Sequence, residues 1–184
     1  MKYLIASDLH GDLVATQALL AAYEREGAEK LVLLGDILYH GPRNDLPAGY
    51  APKGVIAALC AHSEEILAVR GNCDAEVDQM VLSFPIMADF EVLDMDGYKV
   101  YLTHGHHYNE ENPLPQMGKG DVMLHGHTHV AGLTFCRDGQ PCLNPGSISI
   151  PKNGTPPSYI VLENGRFSLR RLADGIEWAC WPQA

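Results

Sequence analysis

The sequence predicts an α/β fold: a four-layer sandwich of two mixed β-sheets packed face to face and flanked by helices, in one domain spanning residues 1–184. Three observations carry this reading. Apolar runs of strand length alternate with runs of helix length through the first half of the chain. The second half changes to short strands separated by Asp-Gly and Asn-Gly turns. Five of the strands end in a carboxylate, amide or imidazole side chain with a glycine beside it.

In chain order, strands are expected at 2–7, 30–35 and 65–70, and helices at 13–26, 52–61 and 75–82. Asp12 and Asp74 precede two of these helices, where a carboxylate accepts from the free N–H groups of the first turn, so both read as N-caps. The strand–helix–strand rhythm implies right-handed crossovers and a parallel sheet. Alternation in Phe90-Glu91-Val92-Leu93-Asp94-Met95 then runs into Asp96-Gly97, and Tyr98-Lys99-Val100-Tyr101-Leu102 completes a hairpin. Further strands are expected at 121–125, 132–137, 140–143, 158–163 and 166–172, with Asn164-Gly165 joining the last two. Ile176–Trp181 alternates and reads as a last strand or an interaction edge.

Composition bounds the function. A chain of 184 residues with 46% hydrophobic and 20% charged content can bury a substantial core. Its net charge of −10 argues against a long nucleic acid as partner, but not against a small phosphate ester held by metal ions, whose charge dominates locally. There is neither a signal peptide nor an apolar run approaching the ~20 residues of a membrane span, so a cytoplasmic location is expected. A homo-oligomer is compatible with the chain, and nothing in it selects an oligomeric state. The five cysteines lack Cys-x-x-Cys spacing, which indicates neither a disulfide framework nor a zinc knuckle. A two-residue turn at Asp138-Gly139 would set Cys136 opposite Pro141 and Cys142 opposite Phe135, with the thiols on opposite faces. Reduced thiols are expected.

The strand ends carry the chemistry. Tyr3-Leu4-Ile5-Ala6 leads into Ser7-Asp8-Leu9-His10-Gly11, and Lys30–Leu34 into Gly35-Asp36. Ile66–Arg70 leads into Gly71-Asn72, Val100–Thr103 into His104-Gly105, and Asp121–His125 into Gly126-His127-Thr128-His129. Side chains at the C-terminal ends of strands converge on open space, and oxygen and imidazole donors together suit Mn, Fe, Co, Ni or Zn. Seven donors exceed what one ion takes up. Two ions sharing a carboxylate suit the count, and such a pair serves in-line displacement at phosphorus.

Asp-x-His, Gly-Asp, Gly-Asn, His and Gly-His-x-His in this order resemble the calcineurin-like metallophosphoesterase family from residue 4 to about 150. Gly71-Asn72-Cys73-Asp74, Asp36–Asn44 and Asn144-Pro145-Gly146-Ser147 look like its small bacterial YfcE-type phosphodiesterases. The resemblance implies the metallophosphoesterase fold and two divalent ions, manganese first among them. It also implies a small phosphodiester substrate attacked in line by a hydroxide bridging the ions. Asp8, His10 and His129 would hold one ion, and Asn72, His104 and His127 the other. Asp36 would bridge, and Asn72 would also stabilise charge on the phosphoryl oxygens. Many larger members have histidine directly after the asparagine as leaving-group acid, whereas this chain has Cys73, a poor acid at neutral pH. Protonation is then expected to be weak, or to come from His40 or water.

The long segment Leu38–Lys53 follows Asp36, and loops of this length are commonly functional. Its Arg43 and Asn44 could contact phosphate and His40 could act as an acid; a Gly-Pro turn with a paired arginine would account for the same residues. His106, His107 and His125 adjoin ligand candidates, yet their spacing fits no coordination position. Asn144–Ser147 reads as a turn supporting the site, and Asp74, read first as a cap, could also orient a metal ligand from behind it. A phosphomonoesterase or nucleotide pyrophosphatase could use the same ions, and a non-catalytic scaffold of the same fold is the alternative from another class.

Overall fold

A computed structural model of the chain describes residues 1–182. The first strand, β1 (Tyr3–Ala6), leads into α1 (Leu13–Glu26). Asp12 caps this helix as expected, its Oδ1 accepting from Ala15 N at 3.0 Å. Ala15, Leu19, Ala22 and Tyr23 recur on one helical face and are buried. Gly27 ends the helix in the left-handed conformation, at φ 60°, with its N–H on Glu24 O. Then come β2 (Lys30–Leu33), α2 (Pro52–Cys60) and β3 (Ile66–Ala68), and β1, β2 and β3 pair in parallel.

The third helix differs from expectation. Helix α3 covers only Glu76–Gln79 and starts from Ala75, so Asp74 is not its cap. Leu82, at the end of the expected helix, is instead buried with Phe84 and Ile86 from a turn and irregular segment that follows α3. The Gln79 amide replaces the helical hydrogen bonds, donating to Leu82 O and Phe84 O and accepting from Ile86 N.

The second half forms β4 (Phe90–Met95), β5 (Tyr98–Thr103), β6 (Val122–Leu124), β7 (Gly132–Phe135) and β8 (Pro141–Asn144). It continues with β9 (Ser158–Glu163), β10 (Arg166–Arg171) and β11 (Glu177–Trp181). The strand order is β11-β10-β9-β1-β2-β3 in one sheet and β4-β5-β6-β8-β7 in the other, and both sheets are mixed. Ile176–Trp181 thus supplies an edge strand.

The β7–β8 connection corrects a second expectation. Cys136 N donates to Gln140 O and Gly139 N to Cys136 O, each at 2.8 Å, so the turn holds three residues and not two. Phe135 faces Pro141 and Thr134 faces Cys142. One residue of register exchanges the faces of a strand, and Cys136 and Cys142 consequently share a face and pack in one cluster.

Side-chain alternation builds the layers. Ile5, Val32 and Leu34 meet Val100, Leu102, Val122, Leu124 and Leu143 between the sheets, joined by Leu162, Phe167 and Leu169. Leu4, Ala6, Leu31 and Leu33 face the other way, onto α1 and α2. The outer face of the five-stranded sheet is covered by the segment between β5 and β6, where Leu114, Tyr108 and Met117 pack over Tyr101 and Met123. Among the described residues no helix is long and apolar enough to cross a membrane. Phe167 is fully buried between the sheets. Phe167→Ala is expected to cost about 3–5 kcal/mol in urea unfolding; a loss below about 1 kcal/mol would place the load of the inter-sheet core elsewhere.

Candidate metal centre

The C-terminal ends of β1, β2 and β3 face those of β5 and β6, and the chain leaves each end through a sharp turn. Asp8, His10, Asp36, His127 and His129 all have left-handed backbone, with φ of 57°, 48°, 55°, 68° and 61°. Such conformations cost a non-glycine residue of order 1–3 kcal/mol and persist only where neighbours over-determine them. The neighbours here are specific. Asp8 N donates to Gly35 O at 3.1 Å, and Asp8 O accepts from Ser147 Oγ at 2.7 Å and Ser149 Oγ at 2.9 Å. His10 N donates to Asp36 O, and His127 N to Asp8 Oδ2, both at 2.9 Å.

Asp74, set aside by α3, holds two of these turns together. Its carboxylate accepts from Asp36 N, Ile37 N and Gly71 N at 2.8, 2.9 and 2.7 Å. Burial pushes its carboxyl above the usual range, and those three N–H donors pull against that. Gly71 is required here because a Cβ would strike Asp36 Oδ1 and the Asp36 backbone.

All seven predicted donors converge. Asp8 Oδ1 lies 3.5 Å from His10 Nε2 and 3.2 Å from His129 Nε2, and these two nitrogens are 3.1 Å apart. On the other side, His104 Nε2 lies 3.1 Å from Asn72 Oδ1 and 3.3 Å from His127 Nδ1. Asp36 Oδ2 stands between the groups, 3.8 Å from His10 Nε2 and 3.4 Å from His104 Nε2. The carbonyls of Tyr39, Leu34 and Ile150 accept from Nδ1 of His10, His104 and His129 at 2.9, 2.7 and 3.0 Å. A carbonyl can only accept, so each Nδ1 carries a proton and each ring turns its Nε2 inward.

This donor set fits divalent cations. Asp8 Oδ1 is buried without a hydrogen-bond partner, and the lone pairs it faces at His10 and His129 repel it unless positive charge lies between them. Without metal, protons take that place. Burial opposes charge on His104, but Asp36 and Asp8 lift its pKa to about 9. Burial would raise Asp8, yet the neighbouring rings of His10, His129 and His104 hold it well below the usual carboxylate range.

The centre opens into a cleft of about 430 Å³ lined by Asn72, Cys73, His127 and His129 together with Arg43, Asn44 and Lys152. Arg43 and Asn44 thus reach the site. His40 lies outside the cleft lining, its ring packed edge-on against Tyr39 and Tyr50. Burial and the charges of Asp36, Asp74 and Asp8 push the Cys73 thiol up to about 12. Asn144 braces the turn after β8, its Nδ2 donating to Gly126 O at 2.8 Å and Thr128 Oγ1 at 3.0 Å. Sequence reasoning missed Lys152, which Lys152 N→His129 O brings beside the centre across a loop contact no local pattern announces. It also misplaced Asp74, although the Gly-Asn-x-Asp spacing put a carboxylate near the site.

Residues 1–165 match the family model described as the calcineurin-like phosphoesterase superfamily domain, and the chain belongs to that superfamily. Phosphodiesterase YfcE of Escherichia coli K12 is 47% identical over 174 residues, covering 95% of this chain and 94% of the relative. The solved structure of YfcE, described as a phosphoesterase, superposes with a TM-score of 0.92 over 98% of each chain at 45% identity. Phosphodiesterase MJ0936 of Methanocaldococcus jannaschii is 27% identical over 135 residues, covering 70% of this chain and 74% of the relative. Zinc-complexed Vps29 of Entamoeba histolytica shares the fold at a TM-score of 0.60 and 20% identity, covering 98% of this chain and 97% of that one.

Asp74→Ala leaves three buried N–H groups without an acceptor. It is expected to destabilise the protein by on the order of 3 kcal/mol and to weaken manganese binding at least tenfold by calorimetry. Unchanged metal affinity in a folded variant would show that Asp74 does not position Asp36.

Proposed function

We propose that this phosphoester hydrolase is a dinuclear-metal-dependent phosphodiesterase acting on a small phosphodiester. The single observation that carries the reading is the convergence of seven donors, Asp36 midway, at the floor of an open polar cleft. The names of the relatives YfcE and MJ0936 support the diesterase class.

Asp8, His10 and His129 would hold one ion and Asn72, His104 and His127 the other, with Asp36 shared; manganese is the first choice, with zinc, iron, nickel or cobalt also suited to these donors. Two divalent ions so placed supply an activated water and positive charge for an in-line displacement at phosphorus. The chain's own residues do the rest. The carbonyls that hold the Nδ1 protons keep the three imidazoles aimed, with Nε2 free to meet an ion. Asn72 meets the phosphoryl oxygens as charge develops. Arg43, Asn44 and Lys152 line the same cleft and bind and orient the ester, a guanidinium and an ammonium offsetting the chain's net negative charge.

The leaving group gets less help. Cys73 stands where larger relatives have histidine, and a thiol is a poor acid at neutral pH. His40 would have to leave its place between Tyr39 and Tyr50 to serve as acid, so water is the simpler proton source. The expected compartment is the cytoplasm, where free cysteines persist.

Chelator-stripped protein is expected to regain turnover on manganese addition and to prefer an aryl phosphodiester over the matching monoester. Its rate should fall steeply as the leaving-group pKa rises; a flat dependence would establish an efficient internal acid. Metal binding without turnover of either ester would favour a scaffold role. Asp36→Asn should lower kcat at least a thousandfold in a folded protein, since the bridging charge is lost. Substantial retained activity would overturn the bridging assignment.

A further inference from the structure

At the strand end that leads into His127 and His129 lies a second group of donors, Glu110, His125 and Cys142, that phosphoester chemistry does not use. His125 Nε2 lies 3.1 Å from Glu110 Oε2, and the Cys142 sulfur sits within 4.8 Å of both residues' donor atoms. The register of the β7–β8 hairpin turns Cys136 onto the same face, where it packs in one cluster with Cys142. His125, Cys136 and Cys142 are buried, at 2%, 4% and 0% exposure, which removes them from casual surface chemistry. Glu110 is partly exposed and tied to the hairpin through Arg137 N→Glu110 O at 3.1 Å. A pocket of about 360 Å³ lined by Glu110, His125 and Asn144 gives access from solvent.

We propose that Cys136, Cys142, His125 and Glu110 form a separate site for one thiophilic divalent ion of the zinc class. The chemistry of the four donors carries this. Two sulfurs, one imidazole and one carboxylate are a four-coordinate set suited to zinc, unlike the oxygen and nitrogen donors of the catalytic centre. His125 repeats the arrangement of the inward-facing catalytic histidines: its Nδ1 lies 3.0 Å from Gly126 O, and Nε2 points into the cluster. The cysteines occupy diagonal positions, Cys142 opposite Thr134 and Cys136 opposite Gln140. Diagonal side chains in a hairpin are wider apart than the ~4 Å Cβ separation of a disulfide, whereas an ion with metal–sulfur bonds of about 2.3 Å spans two sulfurs easily. Binding releases the two thiol protons to solvent and leaves the sulfurs as thiolates. The ion would join the hairpin and the segment after β5 to the strand end that presents His127 and His129.

Cobalt titration of the reduced, chelator-stripped full-length protein tests the site, because thiolate ligation gives a near-ultraviolet charge-transfer band that oxygen and nitrogen ligands lack. The band is expected in the wild type, displaced by zinc, lost in Cys142→Ser and in Cys136→Ser, and retained in Cys73→Ser. No band in the wild type, or loss confined to Cys73→Ser, would overturn the proposal. Should the serine variants not fold, alkylation of the wild type decides the matter by mass spectrometry. Zinc should slow modification of Cys136 and Cys142 at least tenfold relative to Cys60; equal rates with and without zinc, or a Cys136–Cys142 disulfide in the reduced preparation, would overturn it.

Discussion

Asp8, Asp36 and the bare ring nitrogens of His10, His104 and His129 face one another across 3.1–3.8 Å, and the rest of the molecule is arranged to keep them there. Lone pairs so crowded in a buried place repel, and only intervening positive charge makes the arrangement favourable. The fold supplies the mechanical side of that balance. Two sheets bring five strand ends to one line, their shared apolar layer fixes the spacing, and cross-links from Ser147, Ser149 and Asp74 hold turns that would otherwise relax. The strained backbone at Asp8, His10, Asp36, His127 and His129 is thus a consequence of aiming several donors at a small volume.

Much of this was legible in the sequence because it is written in local patterns. A short apolar run followed by a glycine and a ligand-type residue marks a strand end, and five such endings name the site before any contact is known. The parallel first half and the hairpins at Asp96-Gly97 and Asn164-Gly165 follow from period and turn chemistry, which act over a few residues. What was not legible depends on distant partners. Asp74 reads as a helix cap until the approach of Gly71 and Asp36 shows three N–H groups competing for it. Met80, Val81 and Leu82 suit a helix, but the Gln79 amide and the core that receives Phe84 draw the chain into a turn instead. Asp138-Gly139 suits two hairpin types, and the choice of a three-residue turn moved the Cys136 side chain to the other face. Lys152 reaches the cleft only through a loop packed on His129.

The division of labour around the cleft follows from the same geometry. The cleft presents the crowded donors and Asn72 beside Arg43 and Lys152, whose charge suits an anionic ester, and the amide of Asn44, with no residue poised as a strong acid. Under the proposed reading, such a site would act on the attacking water and the phosphoryl oxygens, and the leaving group would have to be adequate on its own, which would narrow the useful substrates by chemistry.

The most direct test of a carboxylate shared between two ions is the electron paramagnetic resonance spectrum of the protein titrated with manganese. Two ions joined through Asp36 predict an exchange-coupled multiline signal that grows to two equivalents and collapses in Asp36→Asn. A six-line spectrum of isolated manganese at every loading, saturating at one equivalent, would contradict the account.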